Sequence, residues 1–239
     1  MPLTRGLLQS RWPMAEFRTL LEAGLSRPSG RPRRGLAPDV LAARVEHGRG
    51  ILRRMGYEMT EGNREAVEVM LRFAAEFCAA RRGECDLPVR GVYLFGKPGV
   101  GKTALAEAVA RRMCGIRWVS AAGLVRRYAE RPAWAINTLD RWGWDDFAEV
   151  DETHLVIDDL GNTGQAAHYG RQLDGAEIIR MRHDQLVRHG TLTIITGNFD
   201  GREALAAWAG PQASRLAEMC DCVMVTGADQ RTARGRSRR

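Results

Sequence analysis

Short apolar runs alternate with amphipathic helical patterns along most of the chain after residue 38. The apolar runs predict strands at 92–95, 116–120, 154–158, 191–196 and 221–226. Apolar residues spaced three and four apart predict helices at 40–55, 64–82, from about 102 onward, 121–130, 175–188, 202–208 and 212–220. Such alternation is typical of an α/β fold with a mainly parallel sheet covered by helices on both faces.

The two ends of the chain depart from this pattern. A helix is predicted between Pro13 and Gly24, and the segment 26–38 that follows is rich in proline, glycine and arginine, as linkers are. The last residues, 231–239, contain five arginines and no acid, so we expect them to be disordered. We therefore divide the chain into a partner-binding helix with its linker (1–38), a main domain (39–230) and a basic tail (231–239).

Within the main domain, the stretch 131–150 stands out by its aromatic residues. It is predicted to be a helix and a loop that pack through their aromatic side chains: Trp134, Trp142, Trp144 and Phe147.

Composition narrows the classes of function. The 239 residues carry a formal net charge of +7, which favours an anionic partner such as nucleic acid.

The five cysteines show neither a C-x-x-C pair nor zinc spacing, so we expect free thiols and no structural metal. No apolar run is long enough to span a membrane, and we expect a cytoplasmic protein without a membrane partner.

The clearest chemical motif follows the strand at 92–95. The segment from Gly96 to Thr103 reads GKPGVGKT and lies between a predicted strand and a predicted helix, which is the context that gives this phosphate-loop pattern its meaning. Glycines allow the backbone N–H groups to surround phosphates, and the helix start adds a positive end. Lys102 is expected at the β- and γ-phosphates of ATP, and the hydroxyl of Thr103 at Mg²⁺. The expected nucleotide-binding residues are Gly96, Pro98, Gly99, Val100, Gly101, Lys102, Thr103 and Ala104.

Lysine is rare in this chain, which supports that assignment. The sequence holds two lysines, Lys97 and Lys102, and both lie in the loop. A compact ammonium suits the position between two phosphates better than the forked guanidinium of arginine does. Lys97 occupies a free position of the motif and is expected to be a solvated loop residue.

A second motif supplies carboxylates. The apolar strand at 154–158 ends in Asp158 and Asp159, as a Walker B strand does. Asp158 is expected to hold Mg²⁺ and Asp159 to polarise the attacking water. The alternative is that the acid pair only caps a helix.

A third strand ends in a polar side chain. Asn198 follows the apolar strand at 191–196, and in this order of motifs it is expected to orient water beside the γ-phosphate. The alternative is a turn residue, since asparagine is common after glycine in turns.

Taken in order, the segments GKPGVGKT, HLVIDDLG, IIRMRH, TLTIITGNF and ASRLAEMC resemble the DnaC/IstB-type AAA+ ATPases, which are helicase loaders and transposition helper ATPases. The resemblance covers about residues 91–227. It implies a P-loop AAA+ fold with a short N-terminal helical extension, Asn198 as the sensor 1 residue and Arg215 as an arginine finger through which copies of the chain associate. Arg231 lies where the family carries a sensor-2-like arginine.

The chain departs from the larger AAA+ proteins in two respects. Only 24 residues follow Arg215, so a full helical lid is not expected, and this puts the role of Arg231 in doubt. The arginine-rich N-terminal region also matches no helicase-binding domain.

The resemblance implies an ATP- and Mg²⁺-dependent ATPase that assembles on single-stranded DNA and loads or remodels a replicative helicase. A helper ATPase that acts on a transposase has the same motifs. A small-molecule kinase also carries a phosphate loop, and a DNA-binding protein that uses ATP only as an assembly switch has the same sequence features. Turnover with and without single-stranded DNA distinguishes these alternatives.

Overall fold

The computed structural model describes residues 33–139, 154–168, 171–199 and 202–229. Its helices are α1 (Pro38–Arg54), α2 (Arg64–Arg81), α3 (Lys102–Ala110), α4 (Ala121–Glu130), α5 (Pro132–Leu139), α6 (Gly175–His189), α7 (Arg202–Ala209) and α8 (Ala213–Met219). Its strands are β1 (Gly91–Phe95), β2 (Ile116–Ser120), β3 (His154–Asp158), β4 (Ala166–His168), β5 (Arg171–Leu173), β6 (Thr193–Gly197) and β7 (Cys220–Met224).

Five of the strands form one sheet in the order β2-β3-β6-β1-β7, and every pairing in it is parallel. β1 and β6 are buried along their whole length, which explains why neither sequence alternates between apolar and polar residues. Parallel strands place their carboxyl ends at one edge of the sheet. Because β6 lies between β1 and β3, the residues that follow these three strands meet at that edge.

Helices cover both faces of the sheet. On one face, α1, α2 and α3 pack against β1 and β6 through a core that includes Phe77, Met70 and Leu105. On the other face, α4, α6 and α8 pack against the same sheet through Leu124, Ile178 and Leu216. The predicted α/β fold with a parallel sheet between helices is therefore confirmed.

The ends of two strands differ from their predicted positions because the register with β1 sets them. β7 runs from Cys220, opposite Gly91, to Met224, opposite Phe95, instead of 221–226. β6 extends to Gly197, which pairs with Phe95, instead of ending at residue 196. It also begins two residues later than predicted, since the N–H of Leu192 donates to Nδ1 of His154 at 2.9 Å.

Some elements had no clear signal in the sequence. The antiparallel hairpin β4–β5 is built from three-residue strands, which are too short to show a period. Helix α5 occupies the start of the aromatic stretch that was predicted to be a helix and a loop. The rest of that stretch, with Trp142, Trp144 and Phe147, lies outside the described residues, as do the predicted N-terminal helix and the basic tail with Arg231.

Across the described ranges, each helix is either too short or too polar to cross a lipid bilayer.

Candidate nucleotide site

The phosphate loop connects β1 to α3 through glycines in conformations that other residues rarely adopt. The φ angles are +148° at Gly96, +82° at Gly99 and +96° at Gly101. Helix α3 begins at Lys102, and no side chain caps its amino end. The N–H groups of its first turn therefore lack intrahelical acceptors and are suited to bind an anion.

Two of these glycines are also packed closely against the chain that follows β7. A methyl group on Gly96 would lie 2.1 Å from the carbonyl oxygen of Val225, and one on Gly99 would lie 2.2 Å from the carboxylate of Asp229. The segment after the last strand therefore passes directly over the loop. The contact at Gly96 requires glycine where the motif also requires it, whereas Gly99 lies at a free position of the motif and is required by its packing and its positive φ.

Lys102 is held inside the loop. Its side chain is buried, and Nζ donates to the carbonyl oxygens of Gly96 at 2.9 Å and Lys97 at 2.7 Å. The ammonium is thus already placed in the concave side of the backbone that would surround phosphates. The side chain of Lys97 is exposed, as predicted for a loop residue outside the motif.

The other predicted loop residues divide by exposure. Val100 is buried and anchors the loop in the core beside α3, whereas Pro98, Thr103 and Ala104 are exposed. The loop thus presents one open side to solvent, where a nucleotide can enter.

The two residues predicted to hold Mg²⁺ are in contact. Thr103 lies in the first turn of α3 and Asp158 at the end of β3, and Oγ1 of Thr103 donates to Oδ1 of Asp158 at 2.9 Å. Mg²⁺ prefers hard oxygen ligands, and a hydroxyl beside a carboxylate at the foot of a phosphate loop supplies two of them. The residues therefore fit the ion.

Asp159 and Asn198 are also in contact. Nδ2 of Asn198 donates to Oδ1 of Asp159 at 2.5 Å. The two residues are brought together because β6 lies next to β3 in the sheet. Asp159 has a left-handed backbone conformation, with φ of 59° and ψ of 51°.

One contact at this edge involves Thr196, whose sequence context predicts only that it belongs to a strand. Oγ1 of Thr196 donates to Oδ1 of Asp158 at 2.6 Å and accepts the N–H of Asp159 at 2.9 Å. A threonine near the end of a buried strand is common, so only its position two residues before Asn198 could have drawn attention to it.

A buried tyrosine lies behind the polar strand ends. A methyl group on Gly197 would lie 2.2 Å from the hydroxyl of Tyr93, so this tyrosine fills the space beside the backbone between Thr196 and Asn198. Burial, followed by the nearby Cys222, Cys220 and Asp159, raises the pKa of Tyr93 well above its usual value. Tyr93 therefore remains neutral at the edge of the site.

Arg215 lies apart from these contacts. It is in the first turn of α8, and NH1 donates to Oε1 of Gln212 in the preceding turn at 2.6 Å. Helix α8 packs against α6 on the face of the sheet opposite α3.

The chain matches one family model. Residues 92–199 match the AAA family, described as the ATPase family associated with various cellular activities. The match contains the loop, the acid pair and Asn198. Comparison with curated protein sequences gives no significant match.

Several solved structures align with this chain at low sequence identity, and the first of them has a TM-score above 0.5. A DNA replication initiation factor aligns with a TM-score of 0.52 and 17% identity over 77% of this chain and 52% of its own. The DnaC helicase loader aligns with a TM-score of 0.46 and 19% identity, over 80% of this chain and 100% of its own. Domain III of the replication initiation protein DnaA from Thermotoga maritima aligns with a TM-score of 0.49 and 16% identity, over 75% of this chain and 69% of its own. The chain spans about half the length of the first of these proteins.

The family match agrees with the geometry of the site and with the order of the strands. Residues 92–199 are therefore similar to the AAA family of ATPases, and the chain has the α/β P-loop fold that the resemblance to DnaC/IstB-type AAA+ ATPases implied.

Proposed function

We propose that this protein is an ATPase of the helicase-loader type, which binds Mg²⁺ and ATP, assembles on single-stranded DNA in the cytoplasm and loads or remodels a replicative helicase. The observation that carries the ATPase part is the continuous set of contacts from Thr103 through Asp158 and Thr196 to Asp159 and Asn198. This set joins the phosphate loop to the groups that would act on water.

Each residue has a distinct task in the proposed reaction. The loop N–H groups and Lys102 bind the phosphates, while Thr103 and Asp158 would hold Mg²⁺. When bound, Mg²⁺ neutralises charge on the phosphates as the terminal bond breaks. Asp159 accepts a hydrogen bond from the attacking water and Asn198 orients it.

Arg215 completes the proposed site from a neighbouring copy of the chain. Its hydrogen bond to Gln212 in its own subunit holds the guanidinium at the start of α8. A guanidinium delivered to the γ-phosphate by a neighbour would make hydrolysis depend on assembly. In this proposal the chain is slow alone and faster when assembled.

The helicase as client is supported by the resemblance of the ordered motifs to DnaC/IstB-type ATPases. A DNA replication initiation factor is among the solved structures with this fold, and we propose that this chain also acts in DNA replication. The net charge of +7 and the arginine-rich tail agree with a DNA partner. For Arg231 we propose a position near the nucleotide, where a sensor-2-like arginine would lie.

Two measurements test this proposal. ATP turnover should rise when single-stranded DNA is added, and should not rise with nucleosides, which a small-molecule kinase would use. Purified replicative helicase should be retained by the immobilised chain in the presence of ATP. Retention of a transposase without any helicase complex would replace the helicase by the transposase as client.

The basic tail allows a further test of DNA binding. Binding to single-stranded DNA should weaken with salt, with a log–log slope of about 0.7 for each phosphate contacted. Deletion of residues 232–239 should lower both affinity and slope. If both stay unchanged, the tail does not contact DNA.

A further inference from the structure

Thr196 connects the two acids of the site through one hydroxyl group. Its side chain is 1% exposed, and Oγ1 donates to Oδ1 of Asp158 while it accepts the backbone N–H of Asp159. A hydroxyl is the smallest side-chain group that can donate and accept at once. The metal-binding acid and the water-activating acid are thereby tied to the same atom.

The backbone at Asp159 needs such a support. Asp159 is the single residue other than glycine with a positive φ in the described ranges. A left-handed conformation costs a non-glycine residue roughly 1–2 kcal/mol, and it persists where surrounding contacts impose it. The bond from its N–H to Thr196 and the bond from Asn198 to its carboxylate are two such contacts.

The carboxylate of Asp158 is held in a similar way. Thr103 and Thr196 both donate to Oδ1, from the helix side and from the neighbouring strand. Two donors on one oxygen fix the plane of the carboxylate, and so the direction in which its other oxygen points. A change at Thr196 therefore affects both acids together.

Shape alone does not account for threonine at this position. The preceding residues of β6, Ile194 and Ile195, are β-branched and fully buried, and valine would fill the space of Thr196 equally well. What valine lacks is the hydroxyl. The contacts of that hydroxyl go to the two acids rather than to the ladder of the sheet.

We propose that Thr196 is a positioning residue that couples Asp158 to Asp159 and holds Asp159 in the conformation needed to act on water. This inference rests on the proposed role of the two acids in ATP hydrolysis. Thr196 acts through these acids and touches neither phosphate nor water in the proposal.

The test compares Thr196→Val, which removes the hydroxyl at constant shape, with Thr196→Ser, which keeps it. With Thr196→Val we expect kcat to fall about 10- to 100-fold while the KM for ATP changes by less than about threefold, because geometry and not binding is lost. Thr196→Ser should restore most of kcat. Thermal unfolding of each variant establishes that it is folded.

A second readout needs no nucleotide. The amide proton of Asp159 should exchange slowly with solvent in the wild type and in Thr196→Ser, and quickly in Thr196→Val, as followed by NMR in the nucleotide-free protein. If Thr196→Val does not fold, Thr196→Ala replaces it, since alanine and serine at this position differ by the hydroxyl oxygen alone.

The outcomes separate this inference from the proposed function. An active wild type with unchanged kcat in Thr196→Val overturns the role of Thr196 and leaves the ATPase assignment intact. Absence of turnover in the wild type overturns the proposed function, and with it the catalytic part of this inference. Equal exchange of the Asp159 amide in the valine and serine variants overturns the positioning bond itself.

Discussion

The hydroxyl of Tyr93 is buried and has no hydrogen-bond partner among the described residues. Leaving such a group without a partner costs about 1–3 kcal/mol. We therefore expect Tyr93→Phe to raise the free energy of unfolding by about 1 kcal/mol, as measured by urea denaturation. A loss of more than about 1 kcal/mol would instead mean that the hydroxyl forms a bond that matters for stability.

The same residue predicts a dependence on pH. Burial raises the pKa of Tyr93 well above its usual value, so the folded protein keeps it neutral where the unfolded chain ionises, above about pH 10. Ionisation therefore favours the unfolded chain, so the free energy of unfolding is unaffected below that pH and falls as the pH rises further. Tyr93→Phe should lose less stability than the wild type between about pH 10 and 11.

Single residues were predictable where a local motif defines them. Lys102, Thr103 and Asp158 could be placed from the sequence because the loop and the strand that carry them have characteristic local patterns. Thr196 could not be recognised, since its contacts with Asp158 and Asp159 depend on the neighbouring position of two strands in the sheet. The left-handed backbone of Asp159 has no signal in the sequence either.

One buried arginine holds several secondary-structure elements together. Arg182 on α6 is 2% exposed, and its guanidinium donates to Oγ1 of Thr193 at 3.0 Å, the carbonyl oxygen of Leu139 at 3.1 Å and that of Leu192 at 3.3 Å. It therefore joins α6 to the end of α5 and to the start of β6. This lies at the end of β6 opposite the candidate site.

We expect Arg182→Met to lower the free energy of unfolding by about 3–5 kcal/mol, because it leaves buried carbonyl and hydroxyl groups without donors. Arg180→Met on the same helix is the matched control. Arg180 is paired with Glu177 and Asp184 at the surface, where ion pairs contribute about 0–1 kcal/mol. Urea denaturation of both variants checks this, and equal losses would contradict the anchoring role of Arg182.

The elements themselves were more predictable than their ends. The apolar runs of β1, β3 and β6 and the amphipathic pattern of α2 show their type in the sequence. The ends of β6 and β7 depend on pairing with β1, which no local pattern reports. The hairpin β4–β5 was missed because each of its strands has three residues.

The role of Arg215 determines whether one copy of the chain can hydrolyse ATP alone. In the proposed assembly, an arginine finger contributes about 10³ to 10⁵ in rate, whereas a half-buried hydrogen bond such as that to Gln212 would support the fold without acting on phosphate. We expect Arg215→Ala to fold and bind ATP and to lose nearly all turnover. The exposed Arg188→Ala is the control and should keep full turnover.

A mixture of two inactive variants tests whether the site is shared. Arg215→Ala and Lys102→Ala protein should recover part of the turnover when combined, because a mixed interface pairs an intact loop with an intact arginine. The measurement is phosphate release from mixtures that are shown to co-assemble, compared with each variant alone. No recovery in such mixtures would place Arg215 in the site of its own subunit.

The proposed ATPase activity depends on the strand-end acids next to the phosphate loop. The most direct measurement is steady-state phosphate release at saturating Mg²⁺ and ATP by the wild type and by Asp159→Asn, with ATP affinity measured on both. We predict that Asp159→Asn binds ATP within about threefold of the wild type and releases phosphate at least about 100-fold more slowly, since an amide is a weaker acceptor for water than a carboxylate. Equal phosphate release by the two proteins would remove Asp159 from the reaction, and no release by the wild type would mean that the protein is not an ATPase.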